Sequence, residues 1–542
     1  MIAELIVLGN IFTSDDEALY VEGFAVCKGK IICVGSRAEV LALAGANTKV
    51  LEYSDGMIIP GITEGHAHVT TAVEVLAGPY CGYETVEETV QAIADFAKQH
   101  PGEDVIYGGG FDPAIFGETG PSADLIDAVV PNRPVLISDS GHHSIWVNTK
   151  AMEIAGITPD TKAPKNGIIN HYGNGMPSGF FQEEAIGCMN PAMPVFDEKK
   201  YVEAILYYQK LGLSYGITNV FEPMLSHSHD EKCRLDAYRK LDNRQELKMT
   251  CRVGLTLWTS QDEEEFFRYL AEEHAAQMKS EKFQVNTVKI FLDGVVDGHT
   301  ALLAAPYLRE PLDCGPVMYE QEKLNARVKR ALEEGYNVHI HAIGDGAINE
   351  ALAAFEYAQT TVGPRDYRNA ITHLQVTQPD HPEKMAKLNV VAVTNPYWHH
   401  INTVYEPLEL PYLGKERAEH QYFMNSFLQN GVHISTASDF PITIVPDTML
   451  CLHMMVNRKA PKDVGDAYWP EERIPVEDAL KIMTAGGAYQ NMLEERKGSI
   501  SKGKDADFVV LDREVTRISP EDIYKTKVLE TWVDGVCVYQ RN

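Results

Sequence analysis

The chain has 542 residues, of which 44% are hydrophobic and 23% are charged, and its formal net charge is −29. This composition is that of a globular protein with a sizeable core, and it excludes the disordered, fibrous and membrane-embedded classes. The acidic balance disfavours nucleic acid and anionic membranes as partners, because their phosphates repel a negative field.

Two further features concern the compartment. Nine cysteines are scattered without a C-x-x-C spacing, which is typical of reduced thiols in an intracellular protein. The first residues lack the positive charge of a signal peptide, and no apolar run reaches the ~20 residues that a spanning helix needs. We therefore expect a cytoplasmic protein.

The two ends of the chain share a pattern of short apolar strands separated by Gly, Asp and Lys. Residues 1–60 and residues 491–542 are each too short for a good core of their own, and chain termini commonly lie close together. We expect them to pack into one small β-sandwich.

Residues 61–490 alternate between short β-rich segments and segments whose apolar residues recur every three or four positions. The predicted helices cover residues 86–99, 199–211, 261–278, 321–334 and 347–359. The predicted strands cover residues 57–59, 216–221, 251–255, 288–291, 337–341, 370–373, 390–393 and 432–436. Eight parallel strands that each lead to a helix predict an α/β fold, the (β/α)8 TIM barrel, with the active site at the carboxyl ends of the strands.

One region does not fit a simple barrel. Residues from about 70 to 200 are too long for a single connection between a strand and a helix, and they contain strand-like and helical pieces of their own. We expect an inserted subdomain after the first barrel strand, beside the barrel mouth.

His66 and His68 follow the first predicted strand and are separated by one residue. Residues i and i+2 of an extended strand project from the same face, so both imidazoles can reach one point in space. Neutral imidazole suits zinc and other transition metals, and the pair is therefore a candidate half of a metal site. A pair of ordinary surface histidines is the alternative that so short a motif leaves open.

Further candidate ligands fall at the predicted strand ends. Lys289 lies in the fourth strand, His341 ends the fifth, His373 ends the sixth, and Asp439 follows the eighth. In a barrel these ends meet at one rim, so the side chains are expected around a single centre. Aspartate and imidazole are suitable ligands for a divalent cation, whereas an unmodified ammonium group cannot ligate one.

A set of short motifs runs along almost the whole chain. They are Ile59-Pro60-Gly61 before His66-Ala67-His68, Gly110-Phe111-Asp112, Pro131-Asn132-Arg133-Pro134-Val135, Gly141-His142-His143-Ser144-Ile145-Trp146-Val147-Asn148, Pro177-Ser178-Gly179, Lys289-Ile290-Phe291-Leu292-Asp293-Gly294, His341-Ala342-Ile343-Gly344-Asp345, Thr436-Ala437-Ser438-Asp439-Phe440-Pro441 and the segment 498–507. Together they resemble the amidohydrolase superfamily, and more narrowly its YtcJ-like branch, which includes N-substituted formamide deformylases.

The resemblance implies a barrel hydrolase that holds one or two divalent metal ions, with Zn²⁺ as the expected ion. His66 and His68 would bind the first ion. Lys289 would be carboxylated and bridge to a second ion, which His341 and His373 would also bind; without that modification a single ion is expected. Asp439 would contact the metal, accept the proton of the attacking water and return it to the leaving nitrogen.

Other conspicuous residues have two interpretations each. His143 and Trp146 in the insertion either face the substrate or belong to a packed loop, and His399 after the seventh strand either contacts the substrate or is an ordinary loop residue. Glu222 ends the second strand and supports either the site or the fold. His339 points to the same face as His341 but deeper, as a lumen histidine, a support for the ligands or a ligand itself.

The sequence therefore predicts a metal-dependent hydrolase that cleaves a C–N bond of a small molecule, in an amide, an N-formyl group or a cyclic amide. The first alternative uses the same barrel and metal centre for C–O hydrolysis, decarboxylation or isomerisation, since fold does not fix function. The second is a non-catalytic metal- or ligand-binding protein. Because homo-oligomers are common, we expect a homodimer.

Overall fold

The computed structural model describes residues 1–102, 104–117, 119–225, 231–310, 312–363, 365–402, 404–463 and 465–541. In these ranges the strands form a sheet built from both ends of the chain, a five-stranded sheet in the insertion, and an eight-stranded central sheet.

The central sheet is a parallel barrel in which each strand pairs with the next strand along the chain. Its strands are Ile62–Glu64, Ile217–Glu222, Thr250–Thr256, Phe283–Phe291, Asn337–Ala342, Ala370–His373, Val391–Thr394 and Ile434–Thr436. The N–H of Gly65 donates to the carbonyl oxygen of Thr436 at 2.8 Å, which joins the first strand to the last. The predicted TIM barrel is confirmed.

The first barrel strand differs from the predicted one. Met57–Pro60 belongs to the terminal sheet, where it pairs with Phe508–Leu511, and the barrel begins with Ile62–Glu64. Both segments are apolar and extended, so only their hydrogen-bond partners distinguish them. The change of partner occurs at Gly61, whose N–H donates to the carbonyl oxygen of Asp507. The N–H of Ile62 then donates to the carbonyl oxygen of Gly216, which directly precedes the second barrel strand.

Helices surround the barrel and bury their apolar faces against its strands in one large core. They span Glu198–Ser214, Glu231–Asn243, Glu263–Gln277, Gln321–Glu333, Asp345–Val362, His381–Lys387, Asn425–Gln429, Thr448–Asn457, Val476–Lys481 and Gly487–Gln490, and two short helices, Leu410–Leu413 and Lys415–Glu419, lie in a loop. Aspartates fix several of their starts; Asp197 and Asp262, for example, accept hydrogen bonds from the N–H groups three residues later. Within the described ranges no helix has both the length and the apolar character of a membrane span.

The two ends of the chain come together as predicted, and their strands form one continuous hydrogen-bonded sheet that folds over a shared apolar core. Its strands are Leu5–Phe12, Tyr20–Cys27, Lys30–Gly35, Lys49–Glu52, Met57–Pro60, Phe508–Leu511, Val528–Val533 and Val536–Gln540. The helix Arg37–Leu41 buries Val40 in a small apolar cluster with residues of this sheet. A second apolar cluster, which contains Phe24, Phe508 and Trp532, unites the N-terminal and C-terminal strands.

The insertion has a sheet and a core of its own. The strands, in their spatial order, are Gly167–His171, Pro177–Glu183, Ser144–Val147, Val135–Asp139 and Ile106–Phe111. The helices are Ala72–Ala77, Val86–Gln99, Ala123–Asp127 and Thr149–Ala155. The hydroxyl of Thr300, in the loop after the fourth barrel strand, donates to Glu183 at 2.7 Å, so this sheet lies against the barrel mouth.

Candidate metal centre

His66, His68 and Asp439 lie together where the first and last barrel strands end. One nitrogen of each imidazole and one oxygen of the carboxylate all lie within 4.8 Å of one another. The Oδ1 atom of Asp439 is 3.3 Å from Nε2 of His66 and 3.1 Å from Nε2 of His68. Ligands about 2 Å from a tetrahedral Zn²⁺ ion are separated by roughly 3.3 Å, so this spacing fits one divalent cation.

Backbone hydrogen bonds between two loops hold these three side chains in place. The N–H of Asp439 donates to the carbonyl of His66 at 2.9 Å, and the N–H of His68 donates to the carbonyl of Phe440 at 2.7 Å. The carboxylate of Glu64 accepts from the N–H groups of His66 and Ser438, at 3.2 and 2.8 Å. The two loops, more than 300 residues apart in sequence, therefore form one rigid unit.

His341 and His373 complete a ring of imidazoles. Their ring centroids are 4.6 Å apart, and the ring of His373 is 5.3 Å from that of His66. Burial lowers the pKa of His66 and His341 well below its ordinary value and that of His373 to about 4. These imidazoles are therefore neutral at neutral pH, which is the form that ligates a metal.

Lys289 is buried among these rings. Its Nζ atom lies 4.6 Å from the centre of the Phe291 ring, and its charge contributes to the lowered pKa of His66, His341 and His373. Burial lowers the pKa of the Lys289 amine to about 7, and the charge of Asp439 opposes that shift. Its Nζ atom has no hydrogen-bond partner among the described residues, and neither has Nδ1 of His68.

These unpartnered atoms test whether the residues fit a metal ion. A buried polar atom without a partner costs about 1–3 kcal/mol, so Nζ of Lys289 indicates a group that the side chains do not themselves supply. The imidazoles and the carboxylate form a donor set that suits a divalent cation. The centre thus fits one divalent ion at His66, His68 and Asp439.

Oxygen atoms orient the second pair of imidazoles. Nδ1 of His341 lies 3.2 Å from Oδ1 of Asp293, and Nδ1 of His373 lies 3.0 Å from Oδ1 of Asn395. Since a carboxylate and an amide oxygen only accept, each Nδ1 donates, and each Nε2 is left as a lone-pair donor. Asp293 is itself held by the N–H groups of Leu302, Ile343 and Gly344.

The residues expected to contact substrate fall in different surroundings. His143 lies beside the centre: its ring is 5.8 Å from that of His341, and its Nδ1 is 3.1 Å from the carboxylate of Glu183. Trp146 has no accessible surface, packs against Phe111 and Phe116 in the core of the insertion, and donates its indole N–H to Ser122. The expectation of a substrate contact at Trp146 is therefore corrected, because its whole surface is covered by the insertion itself.

Glu222 and His399 are also buried. The carboxylate of Glu222 accepts hydrogen bonds from the N–H and hydroxyl of Thr70 and from the hydroxyl of Tyr238, so it supports the fold below the site and is not available to a substrate. The ring of His399 stacks on Tyr422 with centroids 5.1 Å apart. Its neighbour Trp398 is the residue that stacks on the candidate ligand His373, at 5.6 Å.

Sequence reasoning does not single out Glu64 or Asn395, although both contribute to the centre. Each is a polar residue at the carboxyl end of a buried barrel strand, and this position is the signal that could have found them. A strand end alone does not distinguish a supporting side chain from an unused one, because the partner of each lies on another strand.

Known proteins and a family model match this chain over nearly its full length. A family model described as the amidohydrolase family matches residues 53–539. The amidohydrolase YtcJ of Bacillus subtilis (strain 168) is 28% identical, and the match covers 98% of this chain and 99% of that protein. An N-substituted formamide deformylase of Arthrobacter pascens is 25% identical, and the match covers 99% of this chain and 98% of that protein. The crystal structure of an uncharacterized metal-dependent hydrolase from Pyrococcus horikoshii OT3 covers 95% of this chain and 99% of its own, with 22% identity and a TM-score of 0.74. The resemblance found in the motifs is confirmed.

Proposed function

Because the chain belongs to the amidohydrolase family, we propose that it is a metal-dependent hydrolase that cleaves a C–N bond of a small molecule, in an amide, an N-formyl group or a cyclic amide. The observation that carries this proposal is the convergence of His66, His68 and Asp439 within 4.8 Å. The similarity to an N-substituted formamide deformylase supports the choice of a C–N bond.

The ligands divide into two groups. His66, His68 and Asp439 hold one divalent ion, for which Zn²⁺ is suited by the imidazole donors. His341 and His373 hold a second ion when Lys289 is carboxylated. The pKa of about 7 for Lys289 supports this modification, because the neutral amine adds carbon dioxide and, on losing a proton, becomes an anionic carbamate.

When bound, the metal lowers the pKa of a water molecule to roughly 7 and polarises the substrate carbonyl. Asp439 accepts the proton of the attacking water and passes it to the leaving nitrogen, so that an amine departs in its neutral form. A general acid and base of this kind contributes about 10²–10⁴ in rate. His339, Asp293 and Asn395 fix the ring orientations on which this arrangement depends.

Aromatic side chains supply an apolar wall next to the centre. The ring of Phe291 is 5.2 Å from that of His341, and Trp258 lies parallel to Phe291 at 5.6 Å. Trp398 stacks on His373 on another side. These partly exposed rings suit the organic substituent of a small substrate.

The test is elemental analysis of the purified protein together with a screen of N-formyl, N-acyl and lactam compounds, with esters included as C–O substrates. We expect one or two equivalents of a divalent metal and metal-dependent release of an amine. Turnover of the esters alone would favour the C–O alternative. A protein that stays metal-free when offered Zn²⁺ would contradict the proposal.

A further inference from the structure

The insertion places the imidazole of His143 beside the metal centre. Its ring centroid is 5.8 Å from that of His341, and its side chain keeps 19% of its surface exposed. The Nδ1 atom lies 3.1 and 3.2 Å from the two carboxylate oxygens of Glu183, so it donates to that carboxylate. Among the hydrogen bonds and ion pairs of the described residues, none involves Nε2 of His143. One side of this ring is therefore anchored, and the other is left for a different partner.

Glu183 connects this imidazole to the barrel. Its carboxylate accepts from the hydroxyl of Thr300, in the loop after the fourth barrel strand, at 2.7 Å, and its N–H donates to the carbonyl of His143 at 2.9 Å. The contact with the loop leaves no room for a side chain at Gly294. A Cβ atom there would lie 2.1 Å from Oγ1 of Thr300 and 2.6 Å from Oε1 of Glu183. The insertion is thus packed tightly on the barrel at the point that orients His143.

The backbone is strained on both sides of the His143–Glu183 contact. Glu183 has φ 52° and ψ −131°, a conformation that residues other than glycine rarely adopt. His142, which directly precedes His143, has φ 58°. Such conformations persist only where the surrounding contacts enforce them, and they concentrate at functional sites. The strain indicates that the position of this imidazole is selected for a purpose other than stability.

The contact between His143 and Glu183 is an ion pair. The side chain of Glu183 is only 11% exposed, and a carboxylate that has lost most of its water needs a partner of opposite charge. In the described part of the chain, Glu183 forms no ion pair with any other basic side chain. A histidine that balances a carboxylate carries a proton on each ring nitrogen, so Nε2 of His143 is a hydrogen-bond donor. The imidazoles of His341 and His373, by contrast, present lone pairs.

We propose that His143 is a catalytic residue that donates a hydrogen bond from Nε2 to the carbonyl oxygen of the substrate, and that Glu183 is its positioning residue. Water forms a C–O bond to the carbonyl carbon and gives its proton to Asp439, while the carbonyl electron pair moves to the oxygen, which becomes an oxyanion. When that pair returns, the C–N bond breaks and the nitrogen takes the proton. A donor aimed at the oxyanion stabilises the transition state more than the ground state. The proposal rests on the proposed function, because it places the substrate at the same centre.

Kinetics with the best substrate of the N-formyl, N-acyl and lactam screen test the role of His143. We expect His143→Gln to keep the metal content of the wild type, to change KM little and to lose about 10²–10³ in kcat, as for the removal of an oxyanion donor. His171→Gln, at an exposed histidine of the same insertion, is the matched control and should keep the wild-type kcat.

A double-mutant cycle separates positioning from catalysis. Glu183→Gln should lower kcat at least about tenfold in the wild-type background and should have little further effect in His143→Gln, because it acts through that imidazole. Equal losses in the two backgrounds would overturn the positioning role of Glu183.

Binding of an anion provides a measurement that needs no turnover. Methylphosphonate, a tetrahedral anion, is titrated by calorimetry into the metal-loaded wild type, His143→Gln and His171→Gln. A hydrogen bond to a charged group favours binding at least about tenfold, so the wild type and His171→Gln should bind the anion that much more tightly than His143→Gln.

Wild-type kcat in His143→Gln, or equal binding of methylphosphonate by His143→Gln and the wild type, overturns the proposal. Loss of metal from His143→Gln also overturns it, because the residue would then support the metal centre and not the substrate. If the metal-loaded wild type hydrolyses none of the screened compounds, the proposed function fails. Tighter binding of methylphosphonate by the wild type than by His143→Gln then still supports His143 as the donor to an anion at this centre.

Discussion

The Nδ1 atom of His66 lies 2.8 Å from the Nε2 atom of His339, which is buried deeper in the barrel lumen. One nitrogen of His66 is thereby engaged, and the other faces Asp439 at 3.3 Å. The same principle orients His341 through Asp293 and His373 through Asn395. Partners of metal ligands fix which ring nitrogen carries the proton, and their loss commonly weakens metal binding.

Replacement of His339 should therefore weaken the metal centre without removing a ligand. We expect His339→Leu to reduce metal affinity about 10–100-fold, and His339→Gln, which keeps a polar atom, to reduce it less. Competition with a chelator of known affinity measures the change. His171→Leu, at an exposed histidine of the insertion, is the control. Equal affinity in His339→Leu and the wild type would show that the contact is incidental.

Asp439 should matter more for turnover than for metal content. We expect Asp439→Asn to retain metal through its imidazole ligands and to lose about 10²–10⁴ in kcat, because an amide side chain cannot accept the proton of water. Elemental analysis and single-substrate kinetics measure the two quantities on the same preparation. Asp160→Asn, at an exposed position of the insertion, should match the wild type in both. Unchanged turnover in Asp439→Asn would remove this residue from the mechanism.

The nuclearity of the centre depends on Lys289. If its amine is carboxylated, the wild type should hold about two metal equivalents and Lys289→Gln about one, because the anionic carbamate would supply a ligand that His341 and His373 lack for a second ion. Labelled bicarbonate should enter the wild type and not the variant. Lys199→Gln changes a side chain that is 80% exposed and should behave as the wild type. A single equivalent in the wild type would instead indicate a mononuclear centre with an unmodified lysine.

Glu409 should make stability depend on pH. Burial raises the pKa of its carboxyl to about 7 in the fold, whereas an unfolded glutamate titrates near its ordinary value of about 4.5. As pH rises from about 4.5 to about 7, the unfolded state releases this proton first, so the protonated carboxyl's contribution to stability is lost. The melting temperature of Glu409→Gln relative to that of the wild type should therefore rise as the pH increases from about 4.5 to about 7. Above pH 7 this difference should stay constant.

Thermal unfolding at several pH values checks this prediction. Glu406→Gln alters an exposed carboxylate of the same segment and is the matched control, for which we expect no such trend. A constant difference in melting temperature between Glu409→Gln and the wild type from pH 4.5 to pH 7 would contradict the raised pKa.

Much of the fold followed from local pattern. Seven of the barrel strands and the five predicted helices occupy nearly the predicted positions, because strand and helix periodicity is set by neighbouring residues. The prediction of the first barrel strand was wrong, because residues 57–60 and 62–64 have the same apolar character and differ only in the strands that pair with them. Trp146 and Glu222 kept two interpretations each for a similar reason: their partners Phe116 and Tyr238 could not be read from the residues around them.

The sequence by itself determined the family, the barrel and the side chains that can ligate a metal, because motif spacing and the rule that parallel strands end at one rim require no coordinates. Only the tertiary structure decided which nitrogen of His66 faces Asp439 and which carboxylates are engaged by distant partners. Those properties arise from contacts between residues far apart in the chain, where side-chain orientation and burial are set by packing.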